Sequence, residues 1–288
     1  MHPKNPFQNN YNFEALIANH PPLKEFIFKN SYGNTTLNFA DNKAVIALNT
    51  ALLKTYFGIN FWQIPEDNLC PPIPGRLDYL LHIADIFPQK EINLLDIGTG
   101  ASLIYPILAS QHFNWKCAAS EVNKTSIRNA ETIIYKNPSL KNIDLRQQKF
   151  KNQILNGIIK TTDSFNVVVC NPPFYKNKTE AEKHNKRKVR NLQLQEEKQH
   201  NFGGLNNELW YNGGEVGFIK KMAEESVQFK QQVGWFTALV SQKENIKIVK
   251  RGINKTQPTQ VKIVEMAHGN KQSRFIAWTF TQLQTTKI

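Results

Sequence analysis

Predicted strands and helices alternate from Leu77 onward, and this alternation limits the fold more than any other feature of the chain. Strand-like segments lie at 92–98, 115–121, 143–148, 165–170 and 234–241. Helix-like segments lie at 76–87, from about 102, at 124–137 and at 214–229. Parallel strands joined through right-handed helical crossovers form a sheet that is covered on both faces. The sequence therefore predicts an α/β fold.

Two more β-rich segments, 261–267 and 274–280, end the pattern. Only the polar segment HGNKQS separates them, which is short enough for a hairpin and would make the final strand antiparallel. We therefore predict a seven-stranded, mostly parallel, Rossmann-like sheet with an antiparallel final strand.

The first 75 residues differ from the rest in composition and pattern. They mix aromatic and basic residues, contain a helix-like stretch at 42–57, and close on the proline cluster CPPIPGR. We predict a small helical N-terminal extension at 1–75 and a Rossmann-like domain at 76–288. Base-stacking and phosphate-binding side chains interleave near the start, where they either contact RNA or belong to the core. These residues are His2, Lys4, Phe7, Tyr11 and Phe13.

The composition limits the classes of binding partner that the chain can have. The 288 residues include 36 Lys and Arg against 23 Asp and Glu, a formal charge of +13 that favours a polyanion such as nucleic acid. No run approaches the roughly 18 apolar residues of a membrane span, and the start lacks the apolar segment of a signal peptide. We expect a cytoplasmic protein without a membrane partner. Cys70, Cys117 and Cys170 form no CxxC pair, so we expect neither a disulfide nor a metal site.

The segment LLDIGTG predicts a cofactor site. Gly98 and Gly100 follow a strand directly, and the absence of Cβ atoms lets the backbone approach a ligand at the strand's carboxyl end. Glu121 ends the next strand, 21 residues after Gly100, where an acid can accept hydrogen bonds from two ribose hydroxyls. A nucleotide-like cofactor is expected here.

The glycine pattern separates two such cofactors. A dinucleotide site needs the full G-x-G-x-x-G set and a helix N-terminus for the pyrophosphate, whereas only the first two glycines are present. S-adenosylmethionine has no phosphate, and Asp96 can reach its ammonium through water or orient the turn. The alternative is that Asp96 only caps the loop.

The segment NPPF, residues Asn171, Pro172, Pro173 and Phe174, follows a β-branched strand. Successive prolines cannot donate to a ladder, so the strand stops and its carbonyls remain acceptors. The Asn171 side-chain oxygen and the Pro172 carbonyl can accept the two protons of a planar amine, which directs its lone pair at a methyl donor. Phe174 can stack on a base.

Such a site suits adenine, cytosine and protein glutamine alike. The charge and Phe174 favour nucleic acid over a glutamine-N5 substrate. A DNA adenine methyltransferase usually carries a separate target-recognition domain, for which this chain leaves little room, and a cytosine-N4 enzyme stays open. A non-catalytic RNA-binding module is disfavoured because the whole motif set is intact.

The motifs also carry a resemblance. DIGTG, the acid after the next strand and NPPF resemble the S-adenosylmethionine-dependent N6-adenine methyltransferases. Together with HPKNPF, PPIPGRLDY and GGEVGFI, they resemble the large-subunit (23S) ribosomal RNA adenine-N6 methyltransferases, related to the methyltransferase-like 16 type. The resemblance spans nearly the whole chain. It implies a class I methyltransferase fold and, as substrate, 23S ribosomal RNA or an assembling large subunit; we expect a monomer.

The resemblance also implies roles for individual residues. Arg76 would contact the cofactor's carboxylate end, although the residue types alone leave a solvated arginine equally open. Gly98 and Glu121 would contact the cofactor, and Asn171–Phe174 the target adenine. Lys149 would approach the cofactor's adenine, at a place where related enzymes often have a carboxylate and this chain has Gln147, Gln148 and Lys149.

Two loop segments complete the predictions. A basic stretch follows NPPF and would add salt-sensitive phosphate contacts if it folds over RNA; its cations are Lys183, Lys186, Arg187, Lys188 and Arg190. The aromatic, glycine-rich segments 201–204 and 210–214 are expected to form a pocket wall or lid.

Overall fold

The computed structural model describes residues 1–9, 11–65, 68, 70–87, 89–177, 179, 210–268 and 271–281. Its helices are α1 (Phe13–Asn19), α2 (Asn42–Phe57), α3 (Ile73–Ala84), α4 (Ile104–Phe113), α5 (Lys124–Lys136), α6 (Gly214–Ser226) and α7 (Asn245–Asn254). Its strands are β1 (Ile27–Lys29), β2 (Thr35–Leu37), β3 (Asn93–Ile97), β4 (Lys116–Glu121), β5 (Asp144–Gln147), β6 (Phe165–Cys170), β7 (Val233–Val240), β8 (Gln260–His268) and β9 (Lys271–Thr279).

Seven strands form one sheet in the order β5-β4-β3-β6-β7-β9-β8. β5, β4, β3, β6 and β7 are mutually parallel, and β9 is antiparallel to both of its neighbours. The predicted mixed sheet is therefore confirmed. Ile97 at the end of β3 pairs with Ser120 on one side and Cys170 on the other. This register brings the glycine turn, Glu121 and NPPF to one edge of the sheet.

Local signals set the ends of the well-predicted helices. The Asp41 side chain caps α2 by accepting from the Lys43 amide, and Gly58 ends the helix in the left-handed conformation. The Asn123 side chain accepts from the amides of Thr125 and Ser126 and so caps α5. Helix α2 spans the 42–57 stretch predicted from its apolar spacing.

The core lies on both faces of the sheet, because successive strand residues point to opposite sides. In β3, Leu94 packs into a cluster with the N-terminal residues, α2, α3 and α4. Leu95 and Ile97 point the other way, into a cluster that includes apolar residues of α6 and α7. Two layers of helix thus cover one sheet and leave its carboxyl edge open.

The N-terminal residues pack against α3. The His2 backbone amide donates to Asp78 Oδ1 at 2.7 Å, its ring nitrogen Nε2 lies 2.8 Å from Asp85 Oδ2, and Phe7 is buried. His2 and Phe7 are therefore buried parts of the core, and contact between the N-terminal extension and RNA stays a prediction. Tyr11 and Phe13 pack partly against the same core. The division of the chain at residue 75 stays a prediction.

Three elements differ from the prediction. Helix α3 begins at Ile73, three residues earlier than expected, because the Pro72–Pro74 segment suits a first helical turn. Strands β8 and β9 continue through most of HGNKQS, pairing as far as His268 and Lys271. Helix α7 was not predicted at all, although β8 runs parallel to β7 and needs a crossover.

The cysteines are free and buried, as small apolar side chains commonly are. In the part of the chain described above, no helix has the length and apolarity that crossing a membrane requires.

Candidate functional site

A cavity of about 860 Å³ opens at the carboxyl edge of the parallel strands. Nine of the ten predicted site residues line it, namely Arg76, Gly98, Gly100, Glu121, Lys149, Asn171, Pro172, Pro173 and Phe174. Asp96, the tenth, is completely buried near the end of β3. Residues separated by up to 98 positions in sequence are thus brought to a single concave site.

The glycine turn is held by backbone hydrogen bonds to β4. The amides of Gly98 and Thr99 both donate to the Ser120 carbonyl at 2.9 Å. Gly98 and Gly100 have φ angles of 74° and 62°, which disfavour any residue with a Cβ. A Cβ at either position would meet no protein atom within 4 Å. The turn therefore presents bare backbone to open space.

Glu121 is buried and bound to the surrounding backbone. Its Oε2 accepts from the Gly100 amide at 2.9 Å, and its Oε1 accepts from the amides of Val122 and Asn123 at 2.7 and 2.8 Å. The carboxylate thus joins the glycine turn to the end of β4. A ribose hydroxyl would share these two oxygens with the protein's own amides.

Asp96 has the opposite environment. Both of its oxygens are buried without a hydrogen-bond partner among the described residues. Burial raises the pKa of its carboxyl from 3.8 to about 7, and the nearby Glu121 charge adds to this rise. Thr99 and Arg76 act to lower this pKa, but no hydrogen bond of standard geometry joins Thr99 to Asp96. Asp96 is a buried acid that forms no ion pair with a described residue, and it lies directly behind the glycine turn.

Arg76 lies on the cavity wall at the first turn of α3. Its Nη1 donates to the Tyr105 hydroxyl at 2.9 Å, and its guanidinium lies 5.6 Å from the Tyr105 ring centre. Burial raises the pKa of Tyr105 to about 12, so this hydroxyl stays neutral and accepts from Arg76. The single bond to a neutral group leaves other guanidinium N–H groups for an anion in the cavity.

The loop after β5 forms another wall. The Gln148 amide donates to the Glu121 carbonyl at 2.8 Å, while its side chain accepts from the Phe150 amide and donates to the Asn156 carbonyl. The exposed Lys149 side chain lines the cavity beside it. Gln148 is therefore the residue that shapes this loop, a role that its sequence position did not indicate.

Glu225 of α6 also holds this loop in place. Its Oε2 accepts from three successive amides, those of Ile154, Leu155 and Asn156, at 3.0, 2.7 and 3.0 Å. Sequence reasoning missed this buried carboxylate because its partners lie about 70 residues away and are backbone groups.

NPPF begins where β6 ends. Pro172 is buried, Asn171 and Pro173 are half-buried, and Phe174 is 39% exposed. Neither the Asn171 side chain nor the Pro172 carbonyl has a hydrogen-bond partner among the residues that the structure describes. Two acceptors and an accessible aromatic ring therefore stand together on the cavity wall.

The wall beside NPPF is made by Trp210, Tyr211 and Asn212, as expected for segment 210–214. Tyr175 pairs with Trp210, and the Tyr211 amide donates to the Tyr175 carbonyl at 3.0 Å. The predicted basic cations at 183–190 and the segment 201–204 lie outside the described residues.

Comparison with known proteins gives a consistent result. The family model described as RNA methyltransferase matches residues 1–282. A protein of Christiangramia forsetii named ribosomal RNA large subunit methyltransferase F is 46% identical over 97% of this chain and 100% of its own length. A protein of the same name from Saccharophagus degradans is 45% identical, covering 97% and 95%.

Solved structures agree over the whole fold. The catalytic domain of human METTL16 in complex with MAT2A 3′UTR hairpin 1 has a TM-score of 0.84 and 28% identity, covering 98% of this chain and 96% of that one. The N-terminal domain of human METTL16 in complex with SAH has a TM-score of 0.78 and 26% identity, covering 98% and 99%.

Proposed function

Because this chain belongs to the family of RNA methyltransferases, we propose that it methylates N6 of a specific adenine in 23S ribosomal RNA, with S-adenosylmethionine as donor. The names of the relatives at about 45% identity support the ribosomal substrate. The observation that carries the proposal is the shared cavity, where the glycine turn and NPPF face one space.

The residues present fit the donor. Asp96 offers a buried carboxylate without a hydrogen-bond partner among the described residues, which suits an ammonium reached through water. Arg76 offers guanidinium N–H groups for a carboxylate, and Glu121 offers acceptor oxygens for ribose hydroxyls. Gly98 and Gly100 leave room where a Cβ would project. When bound, S-adenosylmethionine supplies an electrophilic methyl group on its sulfonium.

The NPPF residues prepare the nucleophile. The exocyclic amine of adenine shares its lone pair with the ring, which weakens it as a nucleophile. Hydrogen bonds from its two N–H groups to the Asn171 side-chain oxygen and the Pro172 carbonyl favour a tetrahedral nitrogen. Both acceptors lack a partner among the described residues, so the amine does not have to displace a protein donor.

Phe174 gives the base a surface. Its ring is partly exposed on the cavity wall, and a base stacked on an aromatic ring gains about 1–3 kcal/mol. The adenine has to leave its own stack to reach the cavity, as in other enzymes that act on bases. The methylated amine is acidic and loses its proton to water, so the mechanism needs no side-chain base.

The direct test is methyl transfer from labelled S-adenosylmethionine to ribosomal RNA from cells that lack the enzyme. We expect one methyl group per 23S molecule, mapped by mass spectrometry to N6 of an adenine. Naked RNA and partly assembled large subunits are compared to find the true substrate. The Asn171→Ala protein serves as the inactive control.

Other products would overturn the proposal in different ways. Label in glutamine of a protein, in DNA adenine or at cytosine N4 would each keep the amine chemistry and replace the substrate. Binding of ribosomal RNA without any transfer would indicate a binding module. The proposed monomer and cytoplasmic location are checked by sedimentation and cell fractionation.

A further inference from the structure

Helix α7 carries a concentration of positive charge. Residues 243–255 contain five cations and one carboxylate, Glu244. All five cations are exposed, and none forms an ion pair with a residue in the described part of the chain. We call them the α7 cationic stripe; its members are Lys243, Lys247, Lys250, Arg251 and Lys255.

The spacing puts these charges along one side of the helix. Lys243, Lys247, Arg251 and Lys255 follow each other at intervals of four residues, which places neighbours on one helix face. Lys243 lies in the turn before α7, and from Lys247 to the C-cap residue Lys255 the stripe extends for about 12 Å at 1.5 Å per residue. The opposite face buries Val249 and Ile253 in the cluster shared with α6 and the sheet.

Helix stability does not account for the stripe. Like charges four residues apart repel each other. Lys247 also lies in the first turn, where the helix dipole disfavours a cation. The dipole favours Arg251 in the last turn, but it explains neither Lys247 nor the repulsion between neighbours, which a bound anion would relieve.

The stripe begins next to the substrate side of the cavity. Strand β7 is parallel to β6, so its end at Val240 lies at the same sheet edge as NPPF. Glu215 accepts from the Ser241 amide at 2.6 Å and from the Asn245 side chain at 3.0 Å, which joins the start of α7 to the start of α6. The preceding residue, Gly214, is so close to Phe174 that a Cβ would lie 3.3 Å from its carbonyl oxygen.

A further cation reaches the same helix from α6. Gly252 lies inside α7, where glycine weakens a helix, and a Cβ there would lie 2.7 Å from Lys220 Cγ. The glycine thus makes space for the Lys220 stem to cross α7. The half-buried Lys220 brings its charge to the helix that already holds the stripe.

We propose that the α7 cationic stripe binds the phosphate backbone of the RNA that enters the cavity, and so positions the strand flanking the target base. This inference rests on the proposed function and identifies a substrate contact outside the predicted site residues. A membrane fits less well, because the apolar face of α7 is buried and Ile248 is its only exposed large apolar residue. A positively charged track suits a nucleic acid backbone without reading its sequence.

The test uses the whole chain with Lys243→Gln, Lys247→Gln and Arg251→Gln combined. The matched control removes three exposed lysines at the opposite edge of the sheet, Lys90→Gln, Lys141→Gln and Lys230→Gln. A second variant, Lys243→Arg with Lys247→Arg and Arg251→Lys, keeps every charge. Binding of 23S ribosomal RNA transcribed in vitro is measured across a salt series, and S-adenosylmethionine affinity reports an intact fold.

We expect the stripe variant to bind this RNA at least tenfold more weakly at low salt. The slope of log binding constant against log salt concentration should become shallower by about 2, because each phosphate contact contributes roughly 0.7. The control and the charge-preserving variant should stay within twofold of the unmodified protein. Equal losses of RNA binding in the stripe and control variants would overturn the inference. Binding to anionic phosphatidylserine vesicles is measured in parallel, and a stripe variant that loses only vesicle binding would also overturn it. If the unmodified protein methylates 23S RNA and the stripe variant binds it normally, only this inference fails; if the unmodified protein transfers no methyl group to RNA, the proposed function fails.

Discussion

The two halves of the cavity treat their polar groups differently. In the cofactor half, Glu121, Gln148 and the amides of the glycine turn are bound to each other before any ligand arrives. In the substrate half, Asn171 and the Pro172 carbonyl have no partner among the described residues. Under the proposed function, we expect the cofactor half to gain affinity from its preformed shape and the substrate half to reserve its hydrogen bonds for the reacting amine.

Asn171→Ala is the strongest test of this difference between the cofactor half and the substrate half. Loss of an acceptor that acts only on the amine should lower kcat by about 100- to 1000-fold, the range for a single group that stabilises developing charge. Cofactor affinity should stay within twofold, as measured by calorimetry. Asn142→Ala, an exposed asparagine outside the cavity, is the control and should keep near-normal turnover. A parallel loss of cofactor binding in Asn171→Ala would mean that the two halves are not separate.

Glu121→Gln tests the preformed half. An amide nitrogen cannot accept from the amides of Gly100, Val122 and Asn123, so the turn loses at least one of its hydrogen bonds. We expect S-adenosylmethionine affinity to fall by about 10- to 100-fold, in line with about 1.5–3 kcal/mol for a charged hydrogen bond. Glu131→Gln, on the exposed face of α5, should change nothing. Unchanged cofactor affinity would assign Glu121 a purely structural role.

Phe174→Ala addresses the substrate half without touching hydrogen bonds. Loss of a stacking surface worth about 1–3 kcal/mol should raise the KM for RNA by roughly 5- to 100-fold. Phe174→Tyr should restore most of it, and Tyr135→Ala, which removes an aromatic ring that is 83% exposed on α5, should have no effect. A normal KM in Phe174→Ala would show that the base stacks elsewhere.

Asp96 is the exception within the cofactor half, and its pKa gives a pH test. The pKa is 3.8 in its ordinary state and about 7 in the folded protein, so folding is progressively disfavoured as pH rises from about 4 to 7. Asp96→Asn should remove this dependence and raise the unfolding free energy of the ligand-free protein at pH 8 by on the order of 4 kcal/mol, because the rise is roughly three pKa units at about 1.4 kcal/mol each. Denaturant unfolding at pH 5 and pH 8 measures it.

The same carboxylate predicts the opposite trend for ligand binding. An ionised Asp96 attracts the cofactor's ammonium, so affinity in the unmodified protein should increase several-fold from pH 6 to pH 8. Asp96→Asn should bind more weakly and lose this pH dependence. A pH-independent affinity in the unmodified protein would show that Asp96 only supports the turn.

Most of the fold was predictable because its sequence signals are local, each contained within a short segment of the chain. The apolar spacing of α2 and the β-branched run of β6 gave their positions, and motifs at three strand ends identified the residues that share the cavity. The parallel register explains this success, because it brings strand ends together whatever lies between them.

Long-range partners explain what was missed. The roles of His2, Glu215 and Glu225 depend on groups 26 to 83 residues away, which local pattern does not reveal. Helix α7 was missed although its signal is local, because Ile246, Val249 and Ile253 have the i, i+3, i+7 spacing of one helix face. Its charges are visible in the sequence, but their position beside the cavity is not.

The three amides bound by Glu225 have a consequence for how the sequence can change over time. At residues 154–156 the carboxylate accepts only from backbone N–H groups, so these hydrogen bonds do not depend on the side chains there. Ile154 and Leu155 are constrained by burial, but Asn156 is half-buried and can be exchanged freely. Proline alone is forbidden at all three positions, since it has no N–H to donate. The loop can therefore acquire a new side chain at position 156 while the backbone that supports the cavity wall is inherited unchanged.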